Sequence, residues 1–249
     1  MIAPSEVRNN FGFRLLRALE AKGDTGNVIV SPFSIFQALA MTYDGAHGAT
    51  RAAMAKTLGV DSTGPELASS NRGLLDALRK ADPTVQIQIA NALWLRKGIE
   101  VNPEFVALGK NSYEAQVSLL NFAADPNGAA ETINSWVNTN TQGRIPSIVD
   151  ELEPDTAVVL TDAVYFKGRW WDEFPPALTH PGEFFVPGSK SITAPMMERH
   201  GVCNYLETKD FQAVRLTYGY SQFGMEVFLP RSRDGLVKVV ASLDQTHWA

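Results

Sequence analysis

Three polar side chains stand where chemistry or strain has to be explained. Ser31 and Ser34 flank Pro32-Phe33, and Asp162 interrupts the apolar run from Ala157 to Phe166. A carboxylate inside such a run is costly unless donors reach it. The two serines sit at a strand-to-helix junction, where hydroxyls cap or turn, and the plain reading of Ser34 is a helix N-cap. Asp162 has no helix terminus to excuse it. The other groups with catalytic potential are scattered. His47, His180, His200 and His247 form no HxxxH or HExxH and read as surface or turn residues. Cys203, the single cysteine, lies in an expected strand and reads as a small buried hydrophobe, because a nucleophile would need a histidine beside it. Asp172-Glu173, after Trp170-Trp171, reads as a solvated turn rather than an acid pair. No GxSxG elbow, GxGxxG or GxxxxGK[ST] loop occurs, so an enzyme is not expected, nor is a cofactor or a metal.

The elements that must position these residues follow from periodicity and punctuation. Val7, Phe11, Leu15, Ala18 and Leu19 fall at helical spacing, which predicts a helix over Glu6–Ala21, ended by Gly23-Asp24-Thr25-Gly26. A helix from Ser34 to Tyr43 follows, then one over Thr50–Leu58 closed by Gly59, and one over Pro65–Lys80. The period then changes. Val85, Ile87 and Ile89 alternate with polar neighbours, a strand running on to Arg96. Asn102-Pro103 starts a helix to Ser112, Ala115–Phe122 is a strand, and Gly128–Thr141 is a helix with Ile133, Trp136 and Val137 on one face. Thr156–Lys167 reads as a strand buried on both faces. Strands then dominate: Glu183–Val186, Ile192–Met197, Val202–Glu207, Gln212–Tyr218 and Phe223–Leu229, before a helix over Gly235–Leu243. Helices first, a mixed middle and a strand-rich end argue α+β rather than a doubly wound sheet.

Composition bounds the rest. The 249 residues are 45% hydrophobic and 20% charged, with net charge −5, an ordinary globular mixture that excludes disorder, collagen and coiled coil. The mild acidity gives no general attraction for nucleic acid or an anionic membrane. No stretch approaches the roughly 18 apolar residues of a membrane span. The first six residues show no basic region followed by an apolar run, so no signal peptide is read. One cysteine excludes an internal disulfide, which fits a cytosolic protein and equally a large secreted domain. One domain is the simplest organisation.

Several segments together resemble the serpin family of protease inhibitors. Asn27-Val28-Ile29-Val30-Ser31-Pro32-Phe33-Ser34-Ile35, with Gly45-Ala46-His47-Gly48-Ala49-Thr50, is similar to its N-terminal signature. Asn91-Ala92-Leu93-Trp94 is similar to the second strand of its central sheet. Ile133–Val137 through Thr141-Gln142-Gly143-Arg144-Ile145 resembles the helix over that sheet, and Leu160–Trp170 its third strand and end. Pro195-Met196-Met197 and Phe228-Leu229-Pro230 continue the match. The resemblance implies N-terminal helices packed on a large central sheet with smaller additional sheets. It also implies a suicide substrate: a serine protease cuts an exposed reactive loop, is acylated, and is trapped as the loop inserts into the central sheet. Ser31, Ser34 and Asp162 then belong to the shutter where that sheet parts, and Trp170 to the breach where insertion begins. The family usually has asparagine at Asp162. A carboxylate only accepts hydrogen bonds, so either Asp162 is protonated or its partner is a donor such as histidine.

By the same resemblance the later central-sheet strands, the reactive loop and the last core strands lie beyond Trp248-Ala249. The expectation is therefore one incomplete domain over residues 1–249, with no bait residue in this chain. An open sheet edge is expected beside Thr156–Lys167. The expected partner is a serine protease engaged through that loop; the complete protein is expected to be a monomer, with no nucleic acid or membrane partner. The alternatives are a carrier, chaperone or binding protein of the same family, or a fragment without function. The family favours the extracellular space; the visible N-terminus favours the cytoplasm.

Overall fold

The structure, a computed structural model, describes residues 4–22, 26–60, 64–186 and 191–244. His247, Trp248-Ala249 and most of the turn read at Gly23–Gly26 lie outside the described residues. The chain contacts cluster into two compact units. One comprises Met1–Gly12, Ser31–Lys80 and Gln86–Phe166; the other comprises Phe13–Val30, Ala81–Val85 and Lys167–Ala249.

Local chemistry sets the helix boundaries of the first unit. After α1 (Pro4–Glu20), the helices α2 (Pro32–Gly45), α3 (Gly48–Leu58), α4 (Gly64–Lys80), α5 (Pro103–Ser112) and α6 (Pro126–Asn140) follow. α5 and α6 each open with a proline behind a capping side chain, Asn102 accepting from the Glu104 amide and Asp125 from the Gly128 amide. α3 ends at Gly59, whose φ of +73° is a left-handed conformation that favours glycine.

These helices accompany a three-stranded sheet of order β2-β1-β3, formed by β1 (Gln86–Arg96), β2 (Ala115–Leu120) and β3 (Val158–Lys167). β1 and β2 run parallel, from Asn91 opposite Ala115 to Arg96 opposite Leu120, with α5 in the crossover. The central strand is the most buried: Ala92, Leu93, Trp94 and Leu95 are all inside. Ala92 and Trp94 pack against Phe122, Ala129, Ala130, Ile133 and Leu152, which joins α6 to one face of the sheet. Ile133 and Val137 are buried as their spacing requires, and Trp136 packs at the margin of that cluster.

β3 departs from its sequence reading. Thr161 and Ala163 are buried, but Val158 and Phe166 are exposed, so the strand is not enclosed on both faces. The reason is its place at the end of the sheet order, with β1 as its neighbour on one side.

The second unit carries the antiparallel pair β4 (His180–Phe184) and β5 (Ile192–Met196), and the antiparallel sheet β6 (Asn204–Glu207), β7 (Phe211–Tyr218) and β8 (Phe223–Pro230). α7 (Leu236–Ser242) seals one face of that sheet, Val239 meeting Phe211, Ala213 and Phe228. Cys203 also departs from expectation. It is exposed and precedes β6, which begins at Asn204 and is itself exposed along its whole length. His47, His180 and His200 are exposed, and Asp172 lies in an exposed bend paired with Arg199.

Candidate functional site

Strand alternation decides what β3 presents to each side. Thr161 accepts a hydrogen bond from Trp94 Nε1 at 2.9 Å, on the face that carries the α6 cluster. Asp162, one residue on, points to the opposite face. Both of its carboxylate oxygens are buried there and meet no hydrogen-bond partner among the described residues. Burial pushes its pKa up to about 6, opposed by the nearby Ser34 hydroxyl, which favours the charged form without closing a bond of ordinary geometry.

The two serines meet each other. Ser31 is extended (φ −105°, ψ 94°), its Oγ accepts from the Ser34 amide at 3.3 Å, and its hydroxyl lies 2.9 Å from Ser34 Oγ. Ser31, not Ser34, is therefore the N-cap of α2. Pro32 takes the first helical position, which suits a residue without an amide hydrogen, and that places the cap one residue earlier. Ser34 is left in the first turn, half-buried and turned toward Asp162, so the structure brings together all three residues singled out in this unit.

Trp170 belongs to the second unit. Its ring stacks on Tyr218 with centroids 4.1 Å apart and planes 18° apart, and Phe174 meets it edge-on. Two bonds flank the stack: Trp171 N to Thr217 O and Gly219 N to Arg169 O, both 2.9 Å. A cavity of about 340 Å³ opens beside it, lined by Trp170, Trp171, Phe174, Arg199, Arg215 and Cys203 among others. Both arginines already have carboxylate partners, Asp172 and Glu226.

A second buried polar group in the first unit has no local sequence signal. Arg8 donates to Asn71 Oδ1 at 2.5 Å, and the Tyr113 hydroxyl donates to Asp44 Oδ2 at 2.7 Å. Asn91 in turn gives its side-chain amide to the Tyr113 carbonyl at 2.9 Å. Burial pushes the Asp44 pKa up to about 6, with Tyr113 and Arg51 holding it down. The members of these bonds are 22 to 69 residues apart, so spacing could not have paired them. Among the described residues no group of three or more His, Cys, Asp or Glu side chains is placed to hold a metal ion, and no helix is long and apolar enough to cross a membrane.

The family model for serpin (serine protease inhibitor) matches residues 6–249. The chain belongs to the serpin family. An uncharacterized serpin-like protein of Thermococcus kodakarensis is 36% identical over 224 residues, covering 90% of this serpin and 52% of the relative. The leukocyte elastase inhibitor of Bos taurus is 32% identical over 233 residues, 91% of this chain and 60% of its own. Among solved structures, reactive-loop-cleaved human thyroxine-binding globulin superposes with a TM-score of 0.90 at 25% identity, over 98% of this chain and 73% of that one. The serpin described here spans about half the length of the curated relatives it matches.

Proposed function

We propose that the whole protein is an inhibitor of serine-type endopeptidases, acting as a suicide substrate whose cleaved reactive loop inserts into the central sheet. Family membership supports the class, and the observation that carries the mechanism is the Ser31–Ser34–Asp162 group beside β3. A sheet that opens needs a closed state held by contacts that are strong when satisfied and costly when broken. In this reading Ser31, Ser34 and Asp162 hold the closed sheet, and Trp170 marks the end where insertion starts. The native state is secured kinetically, by the barrier to opening rather than by depth of energy.

The test is incubation of the whole protein with trypsin-, chymotrypsin- and elastase-type proteases. The expected product is a covalent complex that survives denaturant. Reversible binding, or cleavage with no complex, would overturn the reading and favour a second one. That second reading is a non-inhibitory binding protein, supported by the likeness to thyroxine-binding globulin, a protein solved in complex with thyroxine. The family favours action outside the cell, and fractionation of the source organism tests it.

A further inference from the structure

Asp82 lies in the short connection between α4 and β1, and at 2% exposure it is the most deeply placed carboxylate among the described residues of the second unit. Its Oδ1 accepts from the Thr84 amide at 2.9 Å and from the Thr84 hydroxyl at 2.6 Å. Those two bonds shape its own turn. Its Oδ2 does something the turn does not need: it accepts the amide of Tyr220 at 2.5 Å, from a residue 138 positions away. Tyr220 belongs to the turn that joins β7 to β8. Gly219, just before it, has a φ of +46°, and a Cβ there would strike Thr84 Oγ1 and come within 2.6 Å of Asp82 Oδ2. The turn is thus pressed against the carboxylate, with glycine required by both conformation and space.

The residue leading into that turn is Tyr218, on which Trp170 stacks. The contact is close on the backbone side too, since a Cβ at Gly168 would meet the Tyr218 ring at 2.9 Å. A displacement of the turn therefore moves Tyr218, and with it the surface that orients Trp170. We infer that Asp82 is a positioning residue for Trp170, acting through the Tyr220 amide and the Tyr218 ring. The coupling stands on this geometry alone; its meaning for sheet opening rests on the reading of Trp170 proposed above.

Two variants separate the long-range bond from the local turn. Asp82→Asn keeps one oxygen for Thr84 and turns an N–H toward the Tyr220 N–H, so the tie to Tyr220 is lost. Thr84→Val loses the hydroxyl bond and keeps the tie. The readout is the near-ultraviolet circular dichroism of Trp170, taken as the difference between each protein and its Trp170→Phe counterpart. In Asp82→Asn this band falls by about half or more while the far-ultraviolet spectrum is unchanged; in Thr84→Val it stays. An unchanged band in a folded Asp82→Asn overturns the inference. If Asp82→Asn does not fold, hydrogen exchange in the unaltered protein decides. Tyr220 and Trp171 amides protected to the same degree support the coupling, and a freely exchanging Tyr220 amide beside a protected Trp171 overturns it. Trapping of a protease by the whole protein is measured in parallel. Loss of the band with unchanged trapping supports the coupling and removes Trp170 from the proposed mechanism.

Discussion

Trp94 and Thr161 are joined by a buried hydrogen bond of 2.9 Å between the central strand β1 and the end strand β3, 67 residues apart. Among the described residues Trp94 is the largest side chain that is fully enclosed, so its indole N–H has no recourse to water. Thr161→Val keeps the shape and removes the acceptor. It should cost about 1–3 kcal/mol, the desolvation of an unpaired donor. The Trp94→Phe/Thr161→Val pair should cost less than the sum of the two single changes, by about 1 kcal/mol. Denaturant melts of the four proteins measure this, and strict additivity would remove the bond as a tie between the strands.

Asp162 makes a prediction with a definite sign. Its folded pKa of about 6 lies above the ordinary 3.8, so between those values the folded protein holds more protons than the unfolded one. Its contribution therefore lowers stability as pH rises from about 4 to 6, by at most about 3 kcal/mol. Asp162→Asn removes that titration and gives Ser34 an amide that can donate as well as accept. The variant should be more stable than the parent at pH 7.5, with the difference closing below pH 4. Urea melts across this range test it, and parallel curves from pH 4 to 8 would show that Asp162 does not titrate there.

Asn134 fastens the chain that leaves α6. Its Oδ1 accepts from the Ile148 and Val149 amides at 2.9 and 3.0 Å, and its Nδ2 donates to the Val149 carbonyl at 2.7 Å. Asn134→Ala should cost about 1–3 kcal/mol and speed exchange of those two amides well before global unfolding. Unchanged exchange at Ile148 and Val149 would mean that the segment is held by Val149 packing alone.

What the sequence made legible was what local chemistry decides. Gly59, Asn102-Pro103 and the alternation from Val85 to Ile89 are read correctly because cap, proline and period act within a few residues. The start of α6 falls two residues before the expected Gly128, because Asp125 is the cap and Pro126 opens the helix. The Ser31–Ser34 exchange has the same origin: two hydroxyls three apart compete, and Pro32 decides between them. Cys203 is exposed because the whole β6 edge is exposed, which an apolar residue type beside a strand does not reveal. Ser31 and Ser34 meet at the start of α2 with Ser34 near Asp162, and the unpartnered state of both Asp162 oxygens depends on packing that no local motif encodes. Asp82 gave no signal, since Asp82-Pro83-Thr84 reads as any turn and its partner is 138 residues away.

Tyr113 and Asp44 make the last prediction. The Tyr113 hydroxyl donates to Asp44 Oδ2 and so stabilises the carboxylate that burial destabilises; burial, together with the same contact, drives the phenol's own pKa upward. Tyr113→Phe removes the donor and keeps the ring. The Asp44 pKa should rise above about 6, because the opposing influence is gone while burial remains. A raised folded pKa gives stability that is present at low pH and lost as pH rises through it, so the loss in Tyr113→Phe should move to higher pH. Near neutral pH the variant should be weaker than the parent by about 1–3 kcal/mol, with the gap narrowing in acid. Carbon-13 NMR of the Asp44 carboxyl reads the shift directly. A pKa unchanged by Tyr113→Phe would assign Asp44 ionisation to Arg51 and burial alone, and leave Tyr113 as a packing residue.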